Sequence, residues 1–192
     1  MKALATARWL NPPPVHRLTE DALTLTTGDR TDFWQSTHYG FRRDDGHALL
    51  LDAPETFTAQ VRFESDFPHQ YDQAGLMLRI EAGTWIKTGI ERSDGVRNVS
   101  AVVTRDGLSD WSVVQADEDG PFAIRLTRTR DAVVIDRRDS TGRWHLLRLC
   151  PFPPGRARIG PMACSPDRAG LEVRFSDFRL GPARETPLHG ED

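Results

Sequence analysis

Residues 71–91 read YDQAGLMLRIEAGTWIKTGIE and predict two β-strands joined by a tight turn. Apolar residues alternate with polar or small ones along both halves, Gln73–Ile80 and Thr84–Glu91. Since side chains alternate between the two faces of a strand, one face of this hairpin is apolar and the other carries charged and aromatic groups. The second face is predicted to present a set suited to binding a ligand: Gln73, Arg79, Trp85, Lys87 and Glu91.

The register of this hairpin follows from parity. The apolar faces of the two strands share one core only if residues that face each other have matching parity. A loop of three residues, Ala82 to Thr84, meets this requirement. The resulting register sets Arg79 opposite Lys87 and Gly75 opposite Glu91, and it predicts that the missing side chain of Gly75 leaves room beside the carboxylate.

The alternating pattern continues through the chain. About twelve short segments of this kind recur at a spacing of about 8–14 residues, separated by turn-forming breaks such as Asp44-Asp45-Gly46. No segment shows a capped apolar stripe of helical period. These features predict an all-β sandwich or barrel with minimal helix. We expect a single domain over residues 1–182, with residues 183–192 forming a flexible tail because they are poor in apolar side chains.

Composition excludes several classes of function. The 192 residues include 38% hydrophobic and 28% charged residues, as in ordinary globular proteins. A net charge of −3 without a basic block argues against nucleic acid as a partner, and no apolar run approaches the length of a membrane span. The N-terminus lacks the apolar core of a signal peptide, so we expect a cytoplasmic protein in which Cys150 and Cys164 are free thiols.

Aromatic residues in polar surroundings are predicted to border the charged face of the hairpin. They are Trp34, Tyr39 and Trp111. Such rings stack on the apolar C–H faces of sugars, and Trp85 is assigned the same role because charged residues share its face. The alternative for Trp34 and Trp111 is that each anchors a loop in the core.

Arg125 is predicted to join these charged groups, since the apolar residues beside it occupy the other side of their strand. Glu91 then has two interpretations. Ion pairing with Lys87 or Arg125 would keep its carboxylate ionised and lower its pKa. A role as general acid or base in glycoside cleavage would instead require a second carboxylate, which Asp72 or Asp110 would have to supply.

Three aspartates are each followed by a residue whose position we expect a turn to fix. Asp32, Asp72 and Asp110 are predicted to cap turns by accepting backbone N–H bonds, with Ca²⁺ binding as the alternative. The chain has neither the spacing of a Ca²⁺-binding loop nor that of a zinc site. No metal site and no cofactor are predicted.

Seven motifs occur along the chain in an order that is typical of one known family. They are Thr31-Asp32-Phe33-Trp34, His38-Tyr39-Gly40, Tyr71-Asp72-Gln73-Ala74-Gly75, Trp85-Ile86-Lys87-Thr88-Gly89-Ile90-Glu91, Ser109-Asp110-Trp111-Ser112, Cys164-Ser165-Pro166 and Phe175-Ser176-Asp177-Phe178. Over about residues 8–180 the chain resembles the DUF1349 family, also described as "regulation of enolase protein 1-like", of the concanavalin A-like lectin/glucanase superfamily. The resemblance implies a jelly roll of two antiparallel sheets, one of them concave.

The resemblance also frames the function. The superfamily is rich in domains that bind or cleave glycans, and a member of the family is linked to regulation of enolase. The glycan-cleaving relatives carry a Glu-x-Asp-x-x-Glu strand, which this chain lacks. The leading hypothesis is therefore non-catalytic binding of a small polar ligand, a carbohydrate or sugar phosphate, on the concave face. The alternatives are a glycan-acting hydrolase or lyase that uses Glu91, and a regulator that docks on a metabolic enzyme such as enolase.

Overall fold

The computed structural model describes residues 1–117 and 119–188, and these consist mainly of β-strands. A short 3-10 helix spans Lys2–Thr6. The strands are β1 (Arg8–Leu10), β2 (Val15–Leu18), β3 (Ala22–Thr26), β4 (Phe33–Gln35), β5 (Arg42–Asp44), β6 (His47–Ala53), β7 (Phe57–Glu64), β8 (Gln73–Glu81), β9 (Thr84–Ser93), β10 (Val96–Arg105), β11 (Leu108–Gln115), β12 (Phe122–Arg128), β13 (Ala132–Arg138), β14 (Trp144–Pro151), β15 (Ala157–Cys164) and β16 (Glu172–Gly181).

Two antiparallel sheets form a β-sandwich. The front sheet has the strand order β1-β6-β15-β8-β9-β10-β11, and the back sheet has the order β14-β13-β12-β7-β16-β3-β2. The strands β4 and β5 pair with each other as a separate hairpin. The prediction of an all-β sandwich with minimal helix is confirmed.

The main core lies between the sheets, and alternation along the strands fills it. Leu76 of β8 and Ile86 of β9 point into it from the front sheet. From the back sheet, the ring of Phe63 lies 5.9 Å from that of Phe122 and 6.0 Å from that of Phe175. Both ring pairs are tilted. Aromatic rings attract each other in such arrangements, and these contacts pack the core across neighbouring strands of the back sheet.

A second apolar cluster lies on the other face of the front sheet, beneath the β4–β5 hairpin. Its members are Phe33, Trp34, Ala48, Leu50, Met77, Trp85, Val102, Met162 and Cys164. Because the hairpin covers this face, almost every residue of β9 is buried whichever side it points to. The sequence of β8 and β9 is amphipathic, but β9 is nevertheless covered on both faces.

The predicted register of β8 and β9 is wrong by two residues, although its parity is correct. The structure pairs Gly75 with Gly89, Met77 with Lys87 and Gln73 with Glu91. The turn is closed by Glu81 and Thr84, and the register shifts between Arg79 and Glu81. A bulge thus adds one residue to β8 and restores the parity that a two-residue turn alone would break.

Gly75 and Gly89 allow an unusually close approach of β8 and β9. A Cβ on Gly75 would lie 2.0 Å from the carbonyl oxygen of Thr88, and a Cβ on Gly89 would lie 1.9 Å from that of Ala74. Neither distance is compatible with a side chain, so both strands require glycine at this point.

The predicted tail is partly anchored. The backbone N–H of Arg184 donates to Thr58 Oγ1 at 3.1 Å, and its guanidinium reaches Asp136 at 3.4 Å. Residues 189–192 of the predicted tail lie outside the described residues. Cys150 and Cys164 are buried free thiols, as predicted. In the described part of the chain, no helix has the length and apolar composition needed to cross a membrane.

Candidate functional site

A pocket of about 300 Å³ opens on the outer face of the front sheet, beside the β4–β5 hairpin. Its floor comes from β8, β9 and β10, and Trp111 of β11 forms one wall. Tyr39 and Phe41, in the segment between β4 and β5, also line the pocket. The residues that line it are Asp32, Trp34, Tyr39, Phe41, Arg43, Tyr71, Gln73, Lys87, Glu91, Val102, Trp111, Pro166 and Asp167.

Strand register explains why the pocket is hollow. One row across the front sheet runs through Lys87, Val102 and Trp111, and another pairs Gln73 with Glu91. Between these rows stands the pair Gly75 and Gly89, which contributes no side chain. A gap is therefore left on the floor between Lys87 and Glu91. The prediction that Gly75 lies opposite Glu91 is wrong, because Gln73 faces Glu91, and the room beside the carboxylate comes instead from the pair of Gly75 and Gly89.

Lys87 is paired with Asp32, which lies at the start of the β4–β5 hairpin. The distance between Lys87 Nζ and Asp32 Oδ1 is 2.8 Å, and both side chains are largely buried. Burial acts to lower the pKa of Lys87, but the charges of Asp32 and Glu91 and the hydrogen bond to Asp32 together oppose it, and the pKa is raised. Lys87 therefore stays an ammonium group whose charge is neutralised locally.

Hydrogen bonds to backbone groups of the β4–β5 hairpin hold Asp32 in place. Asp32 Oδ1 also accepts the backbone N–H of Phe33 at 2.7 Å. The backbone N–H of Asp32 donates to Asp45 Oδ1 at 2.8 Å, while its carbonyl accepts the N–H groups of Asp45 and Gly46. The predicted cap is thus observed, and the same carboxylate also reaches into the pocket.

Glu91 departs from the expectation that an ion pair would lower its pKa. Lys87 makes its salt bridge with Asp32 instead, and burial raises the pKa of Glu91 to about 7 against the opposing effect of Lys87. Asp32 adds to the increase, while the nearby polar side chains of Ser100 and Trp111 lower it. Oε2 of Glu91 is buried and has no hydrogen-bond partner among the described residues. The site therefore holds a carboxyl group that changes between its protonated and ionised forms near neutral pH.

Aromatic rings form the upper part of the pocket. The indole N–H of Trp34 donates to the carbonyl of Thr37 at 3.0 Å, which fixes the ring beneath the loop. Tyr39 packs edge-on against Trp34 and stacks on Phe41, with centroid distances of 5.6 and 5.5 Å. Trp111 remains 36% exposed across the opening. Trp34 combines both predicted roles, since it belongs to the second cluster and also lines the pocket.

Two predicted ligand-binding residues share the correct face but do not reach the pocket. Trp85 is 0% exposed, packs against Phe33 at a centroid distance of 6.0 Å and donates its indole N–H to Ala82. Its ring therefore has no face free for stacking. Arg79 is held by Asp44 in a bidentate pair with two contacts of 2.7 Å. The β4–β5 hairpin, whose position the sequence does not reveal, covers both.

The prediction that Arg125 shares this face is wrong. Arg125 lies in β12 of the back sheet, where parity points it away from the core and away from the pocket. Its Nε donates to Asp136 at 2.9 Å, and its guanidinium lies 4.4 Å from the ring centroid of Trp144. Parity gives the face of a strand but does not identify the sheet to which the strand belongs.

The other two aspartates serve structural roles. Asp72 is completely buried, pairs with Arg168 at 2.7 Å and accepts hydrogen bonds from Ser165 and the backbone of His69. Asp110 pairs with Arg148 of β14 at 2.8 Å. Among the described residues, no group of three or more His, Cys, Asp or Glu side chains is arranged to hold a metal ion.

Several residues of the pocket were not predicted. Phe41, Arg43, Tyr71, Val102, Pro166 and Asp167 also line it. The one local peculiarity among them is the positive φ of Tyr71, 61°, which is not readable from the sequence. Pro166 belongs to the motif Cys164-Ser165-Pro166, and its proximity to the site depends on the long-range pairing of β15 with β8.

Comparison with known proteins places the chain in a family. Residues 9–183 match the family described as "Protein of unknown function (DUF1349)". The chain belongs to the DUF1349 family. This confirms the resemblance, and this DUF1349 protein is 42% identical over 188 residues to "Regulation of enolase protein 1" of Saccharomyces cerevisiae, covering 97% of this chain and 94% of that protein.

Solved structures show where the DUF1349 fold recurs. The crystal structure of a functionally unknown protein from Saccharomyces cerevisiae is 42% identical and gives a TM-score of 0.91, over 94% of this chain and 98% of that one. The GH43 protein BlXynB from Bacillus licheniformis gives a TM-score of 0.69 at 17% identity, over 89% of this chain and 35% of that one. The likeness to BlXynB is one of fold.

Proposed function

We propose that this protein binds a small carbohydrate, about the size of one sugar ring, in the pocket of the front sheet. The observation that carries the proposal is the floor of the pocket, where the buried carboxyl group of Glu91 faces the space between aromatic walls. A pocket of about 300 Å³ is at the small end of the range for ligand sites. Rings stack on the C–H faces of a sugar, while Gln73, Lys87 and Glu91 offer hydrogen bonds to its hydroxyl groups.

The charges of the pocket favour an uncharged sugar over a sugar phosphate. Lys87 is paired with Asp32, and Arg43 is paired with Asp45 at 3.1 Å. Among the described lining residues, no cation is left without a carboxylate partner to receive a phosphate. Glu91 would repel such a group once ionised.

A binding panel tests this proposal. Isothermal titration of monosaccharides, disaccharides and sugar phosphates is expected to give at least one neutral sugar that binds, and Trp111→Ala is expected to weaken it about tenfold. Trp144→Ala is the matched control, because Trp144 is a partly buried tryptophan of the back sheet. Binding that survives Trp111→Ala but is lost in Trp144→Ala would contradict the assignment of the site.

Catalysis by Glu91 is the second candidate, and its pKa of about 7 supports it. A general acid that works near neutral pH needs a pKa raised in this way. Two other carboxylates line the pocket, Asp32 and the exposed Asp167, rather than the expected Asp72 or Asp110. Asp32 is paired with Lys87. Release of nitrophenol from a panel of nitrophenyl glycosides, abolished in Glu91→Gln, would support this function. Absence of turnover by pure protein on every member would contradict it.

A metabolic-enzyme partner is the third candidate, and the name of the yeast relative supports it. The edge strand β11 offers exposed apolar side chains for such a contact, among them Leu108, Val113 and Val114. Purified enolase is expected to be retained on the immobilised protein and released when Val113 and Val114 are replaced by Lys. Equal retention by the wild type and by this variant would exclude this surface.

The two free thiols support a cytoplasmic location.

A further inference from the structure

One oxygen atom of Glu91, at the floor of the pocket, has no donor among the described residues. Glu91 is 5% exposed, and its Oε2 lacks a hydrogen-bond partner among the described residues. The adjacent ammonium group of Lys87 donates to Asp32 at 2.8 Å. An unsatisfied buried acceptor is costly, and the cost is greater for a charged one, so a donor from the ligand would complete the site.

The charges around Glu91 indicate which kind of donor fits. Lys87 on its own strand and Asp32 on the hairpin neutralise each other, and the facing residue on β8 is the uncharged Gln73. At the rim, Asp167 is an exposed acid and Arg43 is paired with Asp45. Ionised Glu91 therefore adds a negative charge that no cation of the lining balances, and a cationic donor fits better than a neutral one.

The walls of the pocket favour the same charge. Trp34, Tyr39 and Trp111 present aromatic rings, and the faces of such rings attract ammonium groups. Neither a phosphate nor a carboxylate would gain from these surroundings. A carboxyl floor below several aromatic rings is the composition that recognises small ammonium ions in proteins.

We propose that the ligand of this pocket is an amino sugar whose ammonium group pairs with the carboxylate of Glu91 between the aromatic walls. The inference rests on the proposed carbohydrate binding and adds that a positively charged nitrogen decides which sugar is preferred. The sugar ring supplies the apolar faces for Trp34 and Trp111. The nitrogen supplies a donor to a carboxylate whose Oε2 has none among the described residues.

Isothermal titration with matched sugars tests the proposal. The probes are glucosamine, galactosamine and mannosamine, each beside its parent hexose and its N-acetyl derivative, with ethanolamine as an ammonium without a sugar. At least one free amino sugar is expected to bind about tenfold more tightly than its hexose and its N-acetyl form. Glu91→Gln is expected to remove that advantage, because it weakens binding of the amino sugar more than binding of the hexose, and Glu172→Gln on the back sheet is the control.

The outcomes separate this inference from the function on which it rests. Equal binding of the amino sugar and the hexose would overturn the role of the nitrogen and leave carbohydrate binding intact. Ethanolamine binding as tightly as the amino sugars would overturn the assignment to a sugar. No binding by any probe would overturn both proposals.

A second measurement uses the unaltered protein. Near neutral pH part of the Glu91 population carries a proton, because its pKa is about 7. An ammonium group that binds to the ionised form drives this proton out. Titrations at about pH 6.5 in buffers of different ionisation enthalpy are expected to show proton release with amino sugars and much less with hexoses. The same proton exchange with both would contradict the proposal.

Discussion

The burial of Glu91 lowers the free energy of unfolding near neutral pH. In the folded protein its pKa is about 7, whereas an unfolded glutamate titrates near 4.3. The folded state therefore binds more protons between these values, and the free energy of unfolding falls as pH rises through this window. Strongly perturbed pKa values are frequent at functional sites, which agrees with the role proposed for Glu91 in ligand binding.

Glu91→Gln is expected to be stabilising in a pH-dependent way. The amide keeps the shape but does not ionise, so the free energy of unfolding of the variant should gain on that of the wild type by about 3 kcal/mol between about pH 4 and about pH 8. Urea unfolding across this range measures the difference. Glu172→Gln, an exposed glutamate of β16, is the control. A constant difference between Glu91→Gln and the wild type would contradict the buried, protonated state.

At the scale of the element, β8 and β9 show what a sequence pattern reveals and what it leaves out. Alternation assigned the side chains of both strands to the correct faces, and it identified Lys87 and Glu91 as neighbours on one of them. The register was missed because a bulge at the turn has no signature in the residues around Gly83. Burial of Trp85 was missed because the covering hairpin is distant in sequence.

Gly89→Ala is expected to disrupt this pair of strands. The new methyl group would lie 1.9 Å from the carbonyl oxygen of Ala74, and relief of this contact requires the strands to separate. We expect a loss of about 3 kcal/mol or more in the free energy of unfolding, measured by urea titration. Gly181→Ala in β16 is the matched control, since no atom lies within 4 Å of its added methyl group. Similar losses in both variants would contradict the close approach of the strands.

At the scale of the whole molecule, the sequence predicted the sandwich but not the assignment of strands to its sheets. Arg125 illustrates the difference. Its face was read correctly from parity, yet β12 pairs with β7 and β13 in the back sheet. Pairing between strands remote in sequence depends on packing of the complete chain, which local alternation does not encode. The aromatic residues that border the pocket were recognisable from their local sequence. The shape of the pocket was not predictable, because it depends on several of these long-range strand pairings.

His47 links distant segments of the molecule and makes its stability depend on pH. Its Nε2 accepts the backbone N–H of Gly28 at 2.9 Å, so Nδ1 carries the proton and donates to the carbonyl of Asn11 at 2.7 Å. Burial lowers the pKa of His47, and the hydrogen bond to Asn11 opposes this only in part. The unfolded chain therefore takes up a proton first, and stability falls as pH drops below about 6.5.

Replacing His47 tests this link. His47→Gln is expected to lower the free energy of unfolding at neutral pH by about 1–3 kcal/mol, because two partly buried backbone groups lose a partner. It should also flatten the decline between about pH 6.5 and about pH 5, as followed by thermal unfolding. The exposed His69 provides the control variant His69→Gln. A decline in His47→Gln as steep as that of the wild type would assign the effect to other groups.

Trp34 belongs to two structures at once, the apolar cluster under the hairpin and the wall of the pocket. A smaller side chain there would enlarge the pocket and, in the same step, leave a void beside buried residues such as Met77 and Val102. The proposed ligand preference and the folding stability therefore both depend on the side chain at this position. A lineage that broadens its choice of ligand through this ring must first have stability to spare, whereas Trp111, on the exposed rim, is free to vary without that condition.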